Sequence, residues 1–430
     1  MKTLIALILC AATLAAASVE NVTFNKEVLP VLQKNCQGCH RPGEAAPMSF
    51  LTYKDTRPYA KAIKAAVAAK KMPPWFADAA HGKWANDRSM TPAEIRTLVS
   101  WADSGALEGN PKDAPAPLTF VDGWNIGKPD AILAMAADFS VPASGTIEYT
   151  YFVIPTNWKE DKWIQMAEIR PGNRAIVHHI IAFIRQPGSK WMQDAQPGVP
   201  FVPDRTRDRR GEGGGNGEWL SGFAPGASPD RLEPGQARLV KAGSDIIFQI
   251  HYTSNGKEGL DRSRVGVVFA KETPTTRVVT LASQFNKFQI PPGDANYRVD
   301  STVTLQADST LVAFMPHMHL RGKDFEYRAV YPTGETQTLL RVPSYSFSWQ
   351  LSYKPEQPIL LPKGTKIECT AHFDNSANNS YNPDPTKTIR WGDQSWDEMM
   401  IGFFNVAIPI GMSPEDLMRA KKPAQPSTND

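Results

Sequence analysis

The stretch "STLVAFMPHMHLRGKDFEYRAVYP", residues 309–332, is rich in apolar, β-branched and aromatic residues and ends in turn residues, which predicts a β-strand. Side chains alternate faces along a strand, so His317 and His319 are expected on one face, with Arg321 beyond them. Neutral imidazole is the commonest side-chain metal ligand. The pair therefore indicates either a solvated polar face or a metal site, and this stretch alone leaves both open.

The chain has 430 residues, of which 36 are proline and 30 are glycine. This length allows two or three domains, and the proline and glycine content favours many turns and short strands. From about Trp124 onward, short β-branched and aromatic runs alternate with turn residues, which predicts β-sandwiches rather than an α/β sheet. The net charge of +3 gives no reason to expect nucleic acid as a partner.

The N-terminus has one lysine, an apolar run from Leu4 to about Leu14 and then three alanines before Ser18. This pattern predicts a cleaved signal peptide over residues 1–17, which is too short to span a bilayer. We therefore expect a periplasmic or secreted protein without stable membrane insertion. After cleavage Cys369 stands apart from the other two cysteines, so the protein should be poor in disulfides.

Those two cysteines lie in "NCQGCH", residues 35–40, which has the Cys-x-x-Cys-His spacing of covalent c-type haem attachment. The thiols of Cys36 and Cys39 would add to the haem vinyls, and His40 could take one axial iron position. A thioredoxin-like dithiol would need a βαβ context, and a four-ligand zinc site would need a second thiolate pair. Neither accompanies this motif, so haem is the favoured cofactor.

A small all-α domain is predicted around the motif, over residues 20–110. The run "MTPAEIRTLVSWADSG" has Thr91 as N-cap, Pro92 at the first helical position and Glu94 to complete a capping box. Apolar residues then recur on one face of the predicted helix, and Gly105 ends it. The motif therefore stands in the helical setting that a small cytochrome requires.

The second axial haem ligand is expected to be a methionine or a histidine. The loop "KMPPWF" holds Met72 between prolines, which could keep a thioether free of helix packing. Three alternatives stay open: Met48, Met90 and His81. The module resembles class I cytochromes c of the short bacterial kind over about ninety residues, which implies Met72 as the ligand. The stretch between this loop and the last helix is longer than that resemblance implies.

The remaining chain divides by composition. Residues 111–119 are proline-rich and predict a semi-stiff linker. The β-rich part is expected to form two sandwiches, over residues 120–275 and 276–412. A charged, glycine-rich loop at residues 204–218 is expected to be mobile, and residues 413–430 form a polar tail.

Five histidines lie in three predicted strands of the β-rich part: His178, His179, His251, His317 and His319. Each is embedded in an apolar run, and burying so many imidazoles without partners would be costly. His178 and His179 are adjacent, so joint ligation needs a bulge or a strand end. In "SDIIFQIHYTSNG", Gln249 and His251 are expected to share one face. Metal coordination would give the whole set of imidazoles a partner.

The ordered set "HH", "QIHY", "HMH" and "DEMM" resembles the copper type II, ascorbate-dependent monooxygenases, the family of peptidylglycine α-hydroxylating monooxygenase and dopamine β-monooxygenase. The resemblance covers roughly residues 120–410 and implies two successive jelly-roll-like sandwich domains, each with one copper. It implies an electron-storing copper at His178, His179 and His251. It also implies a catalytic, oxygen-activating copper at His317, His319 and Met399, with Met400 as the neighbouring alternative to Met399.

The donor types agree with this resemblance, because three imidazoles can hold zinc or copper and a thioether favours copper that cycles through Cu(I). Several positions depart from the family. Met400 stands where the family has a cysteine, which leaves Cys369 without its partner. Met315 and Phe403 replace an arginine and a tyrosine that hold a peptide carboxylate. A peptide ending in glycine is therefore a poor substrate candidate, and a more apolar pocket is expected.

Together these features predict an exported oxidoreductase, a copper-dependent monooxygenase with covalent haem c and two copper ions. It would hydroxylate a C–H bond of a small organic substrate with O2, with electrons relayed from the haem to the copper pair. A periplasmic redox protein or an ascorbate-like reductant would supply the electrons. The alternatives are a non-catalytic electron-transfer or copper-binding protein, a zinc hydrolase, and a cytochrome joined to carbohydrate- or partner-binding sandwiches.

Overall fold

The computed structural model describes residues 22–44, 46–120, 123–203 and 217–418. The expected signal peptide, nearly all of the loop expected to be mobile and the end of the expected polar tail lie outside these ranges. The chain divides into two compact units, one made of Met1–Pro73 with Met90–Leu118 and the other of Pro74–Ser89 with Thr119–Asp430. Among the described helices, none combines the length and the hydropathy needed to cross a membrane.

The described regular elements of the first unit are all helical. They are a π-helix (Phe24–Val28), α1 (Leu29–Asn35), α2 (Tyr53–Thr56), a 3-10 turn (Arg57–Tyr59), α3 (Ala60–Ala68), α4 (Pro92–Asp103) and a second 3-10 turn (Pro111–Asp113). Thr91 Oγ1 accepts from the Glu94 backbone N–H at 3.2 Å, and the Glu94 carboxylate accepts from the Thr91 N–H at 2.7 Å. The capping box predicted from the sequence is therefore confirmed.

Two boundaries differ from the expected domain limits of 20–110 and 111–119. Pro74–Ser89, between α3 and α4, belongs to the second unit, because Trp84 is buried in a β-sandwich core and the Asp78 N–H donates to Arg341 O at 2.8 Å. The predicted linker instead packs with the first unit as far as Leu118. Within it, the Ala116 carbonyl accepts a hydrogen bond from Gln33 Nε2 at 2.9 Å. The long stretch noted after the methionine loop is thus an insertion that leaves the helical unit.

The second unit is built from strands. The earlier group comprises β1 (Ala131–Ala134), β2 (Phe139–Val141), β3 (Thr150–Pro155), β4 (Lys162–Arg170), β5 (Val177–Arg185), β6 (Glu218–Phe223), β7 (Asp230–Arg231), β8 (Gln236–Val240), β9 (Asp245–Tyr252), β10 (Gly259–Asp261) and β11 (Arg264–Phe269). The later group comprises β12 (Thr276–Gln284), β13 (Gln289–Ile290), β14 (Tyr297–Thr304), β15 (Ser309–His317), β16 (Gly322–Val330), β17 (Thr336–Val342), β18 (Ile359–Leu361), β19 (Lys366–Phe373), β20 (Ile389–Arg390) and β21 (Ile401–Pro409).

These strands form two β-sandwiches that share one sheet. A nine-stranded sheet runs in the order β1-β11-β4-β8-β12-β21-β15-β18, with β7 beside β4. The first half of this sheet faces β3-β9-β5-β6, and the second half faces β14-β19-β16-β17, each across its own apolar core. The halves join where β8 and β12 pair in parallel, Gln236 opposite Thr276. The mostly β architecture expected from the sequence is observed.

The stretch at residues 309–332 forms two strands rather than the single strand that was predicted. β15 ends at His317 and lies in the shared sheet, whereas β16 begins at Gly322 and lies in the facing sheet. The chain therefore changes sheets through Met318–Arg321. Any Cβ at Gly322 would lie 2.7 Å from Met318 Cβ, so this tight corner requires glycine.

The polar tail begins with a packed helix. α5 (Pro414–Met418) buries Leu417, whose carbonyl accepts from the Gln306 backbone N–H at 2.8 Å. The expected tail over residues 413–430 is thus ordered at its start, because one leucine is buried against the second sandwich.

Candidate metal centres

The first site lies on the neighbouring strands β5 and β9. Val177 pairs with Tyr252 and His179 pairs with His251, and the register shifts between Val177 and His179. His178 is thus an extra residue in the ladder, which is a β-bulge. Of the two arrangements that joint ligation by adjacent histidines allowed, a bulge or a strand end, the structure has the bulge, and both side chains lie near His251.

The three imidazoles of this first site form a compact group. Their ring centroids are 5.1–5.4 Å apart, and one ring nitrogen from each lies within 4.8 Å of the others. His178 Nδ1 and His179 Nδ1 are 3.1 Å apart, close to the separation of about 3.3 Å expected for two nitrogens on one tetrahedral metal. His251 Nδ1 is buried without a hydrogen-bond partner among the described residues. The group therefore fits a three-imidazole metal site.

Burial keeps these three side chains neutral. It lowers the pKa of His178, and it lowers the pKa of His251 to about 3, with a further contribution from the nearby imidazoles. The pKa of His179 is lowered well below its ordinary value, first by burial and then by the surrounding histidines. Because a metal binds the neutral imidazole, the site is held in its ligand form.

The second site begins at the end of β15, where the His317 and His319 ring centroids are 5.2 Å apart and Met318 points into the sandwich core. His317 Nδ1 lies 2.8 Å from Gln350 Oε1, and His319 Nδ1 lies 3.3 Å from the Asp397 carbonyl oxygen. Both contacts fit an Nδ1–H donor, which leaves Nε2 to accept a metal. His319 Nε2 is buried and has no partner in the described part of the chain.

A buried carboxylate connects these histidines to the methionine segment. Glu398 accepts the backbone N–H of His319 at 2.8 Å and that of Arg321 at 2.6 Å. On the other side of Met399, Ile401 pairs with His317 in the β15–β21 ladder. Met399 therefore lies in the chain between two anchored residues, Glu398 and Ile401. It lines the same cavity as His317.

Met400, the neighbouring alternative, is fully buried in the core of the second sandwich. It therefore lies on the opposite side of the chain from Met399, as alternation along the chain predicts. Of the two methionines, Met399 is the one that lines the cavity with His317.

Burial also sets the ionisation of the second site. It lowers the pKa of His317 to about 4 and that of His319 well below its ordinary range. It raises the pKa of Glu398 to about 8, although the two backbone N–H groups and Arg321 favour the charged form. Both imidazoles are therefore neutral and available to a metal near pH 7.

The two sites are neighbours within the second unit. The Phe347 ring stacks on His178 with centroids 5.0 Å apart and meets His319 edge-on at 5.7 Å. Sequence reasoning missed Phe347 and Gln350, because the run that contains them carries no motif. Glu398 lies within the run "DEMM" that the sequence singled out. Nothing in that run indicates that its carboxylate accepts hydrogen bonds from two backbone N–H groups.

In the helical unit, the haem-type motif forms a tight turn after α1. The backbone N–H groups of Cys39 and His40 both donate to Cys36 O, at 3.1 and 2.9 Å. The His40 ring stacks on Phe50 at 4.2 Å, and burial lowers the pKa of His40. Burial raises the pKa of the Cys36 thiol to about 12, whereas a redox dithiol needs a depressed thiol pKa. The raised thiol pKa disfavours redox dithiol chemistry at Cys36.

The candidates for the sixth haem ligand differ in their packing. Met48 and Met90 pack against the apolar core of the helical unit. Met72 lies outside that core and is partly buried, just before the prolines of its loop. The nearest acid to His81 is Asp78, at 3.9 Å. Among the methionines, Met72 is thus the one that core packing does not hold.

His372 lies apart from both sites and contacts Asp324 Oδ1 at 2.7 Å. Cys369 is buried, with Ser283 and Ser301 beside its thiol, and forms no disulfide among the described residues. A Cβ at Gly402 would lie 2.5 Å from Cys369 Sγ, so the thiol fills space that glycine leaves open.

No family model matches the chain, and no curated protein matches it significantly. Among solved structures, PNGF-II matches with a TM-score of 0.27 and 9% identity, covering 69% of this chain and 66% of its own. The VP2 subviral particle of infectious bursal disease virus matches with a TM-score of 0.19 and 10% identity, covering 67% and 74%. Similarities this weak carry no argument about fold or function.

Proposed function

We propose that this protein is an exported monooxygenase that uses a c-type haem and two copper ions to hydroxylate a C–H bond of a small organic molecule. The observation that carries this proposal is the convergence of five neutral histidines, three buried and two half-buried, into two adjacent sets at a cavity that Met399 also lines. Two of these histidines keep a buried ring nitrogen without a partner in the described part of the chain. Such nitrogens are costly unless a ligand occupies them.

The proposed ligands follow from the donor atoms. His178, His179 and His251 would hold the first copper, whereas His317, His319 and Met399 would hold the second. A thioether beside two imidazoles favours copper over zinc, because Cu(I) prefers soft donors. The proposal includes the jelly-roll-like character of the two sandwiches, which the sequence resemblance implies.

In the helical unit, Cys36 and Cys39 would carry the haem covalently, with His40 and Met72 as axial ligands. When bound, the haem and the first copper would supply single-electron transfer, and the second copper would supply activation of O2. The overall reaction would consume substrate, O2, two electrons and two protons, and would yield hydroxylated product and water. A periplasmic redox protein or an ascorbate-like reductant would provide the electrons.

The residues of this chain would orient the ligands and control access of water. Gln350 and the Asp397 carbonyl hold the Nδ1 protons of His317 and His319, so both rings present Nε2. Glu398 fixes the backbone of His319 next to Met399. Phe347 fills the space between the two histidine sets with an apolar ring, which reduces the room for water.

The test is the haem and metal stoichiometry of protein made in an export-competent, haem-maturing host. Haem is measured as its pyridine adduct and metals by mass spectrometry, for the wild type and for Met399→Ala. We expect one haem and two coppers, with about one copper lost in the variant, because a ligand removed from a three-donor site cannot be replaced by alanine.

Met400→Leu is the matched control, since Met400 lies in the core and a volume-conserving exchange there should leave the copper content unchanged. Zinc in place of copper would favour the hydrolase alternative. A full copper load without O2-dependent product from any tested substrate would favour the non-catalytic copper-binding alternative.

A further inference from the structure

A cavity of about 360 Å³ lies beside the second histidine site, between the two sandwiches. Its second-sandwich wall includes Ala313, Met315 and His317 of β15, together with Val312 and Phe314 of the same strand. The first sandwich contributes the outer face of the sheet that contains β3, β5, β6 and β9. Cavities of about 300–1,000 Å³ are typical of small-molecule sites.

Several aromatic side chains line the cavity, and the Phe403 ring centroid lies 6.3 Å from that of His317. Phe183 contacts Trp191 and Trp219, with ring centroids 5.5 and 6.1 Å apart. Trp219 in turn contacts Phe403 of the second sandwich at 5.6 Å. These rings are held by one another and form a rigid apolar wall, as a ring-sized hydrophobic ligand requires.

Part of the wall comes from the inserted segment Pro74–Ser89. Trp75 lines the cavity and packs on Tyr353 with centroids 5.0 Å apart. Arg88 also lines it, and its guanidinium donates to Gly226 O at 2.7 Å and to Ser228 Oγ at 2.6 Å. The insertion noted in the sequence is therefore a structural part of this cavity.

The positive charges of the cavity are already engaged. Arg88 has the two oxygen partners just named, Arg231 donates to Asn125 O, and Lys354 pairs with Glu233. Only Lys354 pairs with a carboxylate, whereas Arg88 and Arg231 donate to neutral oxygens and keep further N–H donors. The case for a neutral ligand therefore rests on the aromatic wall and on Gln350, and the charged probes below test it.

The negative charges of the lining are engaged as well. Asp230 accepts from Ser221 Oγ at 2.6 Å, and burial raises the pKa of this carboxyl. Asp393 is buried and also has an interaction partner. A cationic amine would thus gain little from either carboxylate, and a neutral ligand fits the lining best.

One polar group of the lining lacks a partner. Gln350 uses Oε1 to accept from His317 Nδ1, and its Nε2 is buried without a hydrogen-bond partner in the described part of the chain. A buried amide N–H₂ that donates to nothing is costly, so an acceptor is expected there when the cavity is filled. The position of Gln350 would place this acceptor beside His317.

We propose that the cavity binds a neutral, mainly apolar, ring-sized molecule with one oxygen acceptor, which takes its hydrogen bond from Gln350 Nε2. As a statement about substrate class, this inference rests on the proposed function. The binding itself needs only the cavity and Gln350. In this proposal Gln350 has two roles. Its amide oxygen orients His317, and its amide nitrogen orients the ligand.

The test compares cyclohexanone, cyclohexanecarboxylate and cyclohexylammonium by calorimetry and saturation-transfer NMR on ascorbate-reduced protein of measured metal content. The probes share one ring and differ in charge. Cyclohexanone is expected to bind at least about tenfold more tightly than either charged probe, because an unpaired charge is costly to bury. Equal or tighter binding of a charged probe overturns the inference. Absence of cyclohexanone binding at about 10 mM, a concentration above the millimolar Kd of such small ligands, also overturns it.

Two variants locate the site. Gln350→Glu keeps an acceptor for His317 but removes the donor, so cyclohexanone affinity should fall about three- to tenfold, the value of one hydrogen bond. Met315→Trp should fill the cavity and abolish binding. Gln289→Glu, at an exposed position, makes the same chemical change outside the cavity and should have no effect. Unchanged affinity in both cavity variants places the probe elsewhere and overturns the inference.

Copper content separates this inference from the proposed function. Selective cyclohexanone binding by protein that takes up no copper supports the cavity assignment and defeats the monooxygenase proposal. Full copper loading together with tighter binding of cyclohexanecarboxylate supports the metal sites of the proposed function and defeats the cavity assignment.

Discussion

The two histidine sites occupy the same unit but are built differently. The first lies on two neighbouring strands, where the pairing of His179 with His251 and one bulge at His178 bring three imidazoles together. The second combines a strand end with a segment about eighty residues further along the chain, and each imidazole has an outer hydrogen-bond partner. Within the described part of the chain, the first site has no such partner outside its own histidines.

This difference suggests a division of labour. Sheet geometry alone fixes three similar donors in place, which suits a metal that only gains and loses an electron. The proposed second site combines two imidazoles and a thioether from separate segments, and His317 and Met399 line a cavity that His179 of the first site also reaches. Outer partners of this kind fix the tautomer and orientation of metal-binding histidines.

Ligand removal should separate the sites most clearly. His251→Ala is expected to remove about one copper, from the first site, and His319→Ala to remove the other. Turnover should fall at least about a hundredfold in either, since even outer partners are worth about 10- to 100-fold. Copper per protein and product formation are measured together. His372→Ala, which changes a histidine paired with Asp324, is the control, and loss of both coppers from one single variant would contradict the division into two sites.

Acidification should destabilise the metal-free protein. Folded pKa values of about 3 for His251 and about 4 for His317 lie below the unfolded value of about 6.5, so the unfolded chain binds more protons between these limits. Their stabilising contribution is present above pH 6.5 and is lost as the pH falls. Between pH 6.5 and 5.5 the two together should lower the free energy of unfolding by about 2 kcal/mol.

Denaturant unfolding at the two pH values measures this loss. His178, His179 and His319 add to the measured loss, because their pKa values are also lowered. His251→Gln should reduce the loss by about 1 kcal/mol, because glutamine does not titrate there. Stability that stays constant or increases on acidification in the metal-free wild type would mean that the imidazoles are not buried as neutral groups.

Glu398→Gln should weaken the second site alone. Glutamine offers one acceptor oxygen where Glu398 serves two backbone N–H groups, so the backbone of His319 loses part of its support. Copper affinity of the second site should fall about 10- to 100-fold, as for other outer-shell changes, while the first site is unaffected. Competitive chelator titration measures both affinities.

Glu168→Gln is the matched control for that experiment, because Glu168 is a buried carboxylate of the first sandwich that accepts from Asn125, Ile126 and Arg170. It should lower stability without changing copper affinity. An equal effect of both substitutions on the second site would assign Glu398 a general structural role only.

Phe347→Ala should have the smallest effect of the four changes. The stacking of its ring on His178 is worth about 0.5–1.5 kcal/mol, so the copper affinity of the first site should fall a few-fold. Phe347→Tyr should preserve the contact and the affinity. If alanine weakened the second site more than the first, the edge-on contact with His319 would be the more important one.

The sequence predicted more of the first site than of the second. Joint ligation by the adjacent His178 and His179 needed a bulge or a strand end. Period-two alternation put Gln249 and His251 on one face, with their neighbours in the core. These are local consequences of strand geometry. The single strand expected at residues 309–332 was wrong, because no local signal distinguishes a continuous strand from one that changes sheets at Met318–Arg321.

By itself, the sequence determined which residues are candidate metal donors, the helical setting of the Cys-x-x-Cys-His motif with its capping box, and the β-rich character of the rest. These depend on residue type and on spacing over a few positions. Only the tertiary structure decided that Glu398, Gln350 and Phe347 support the two sites, and that Pro74–Ser89 leaves the helical unit to line a cavity. Such contacts join residues far apart in the chain, and they are fixed by which sheets pack together rather than by any local pattern.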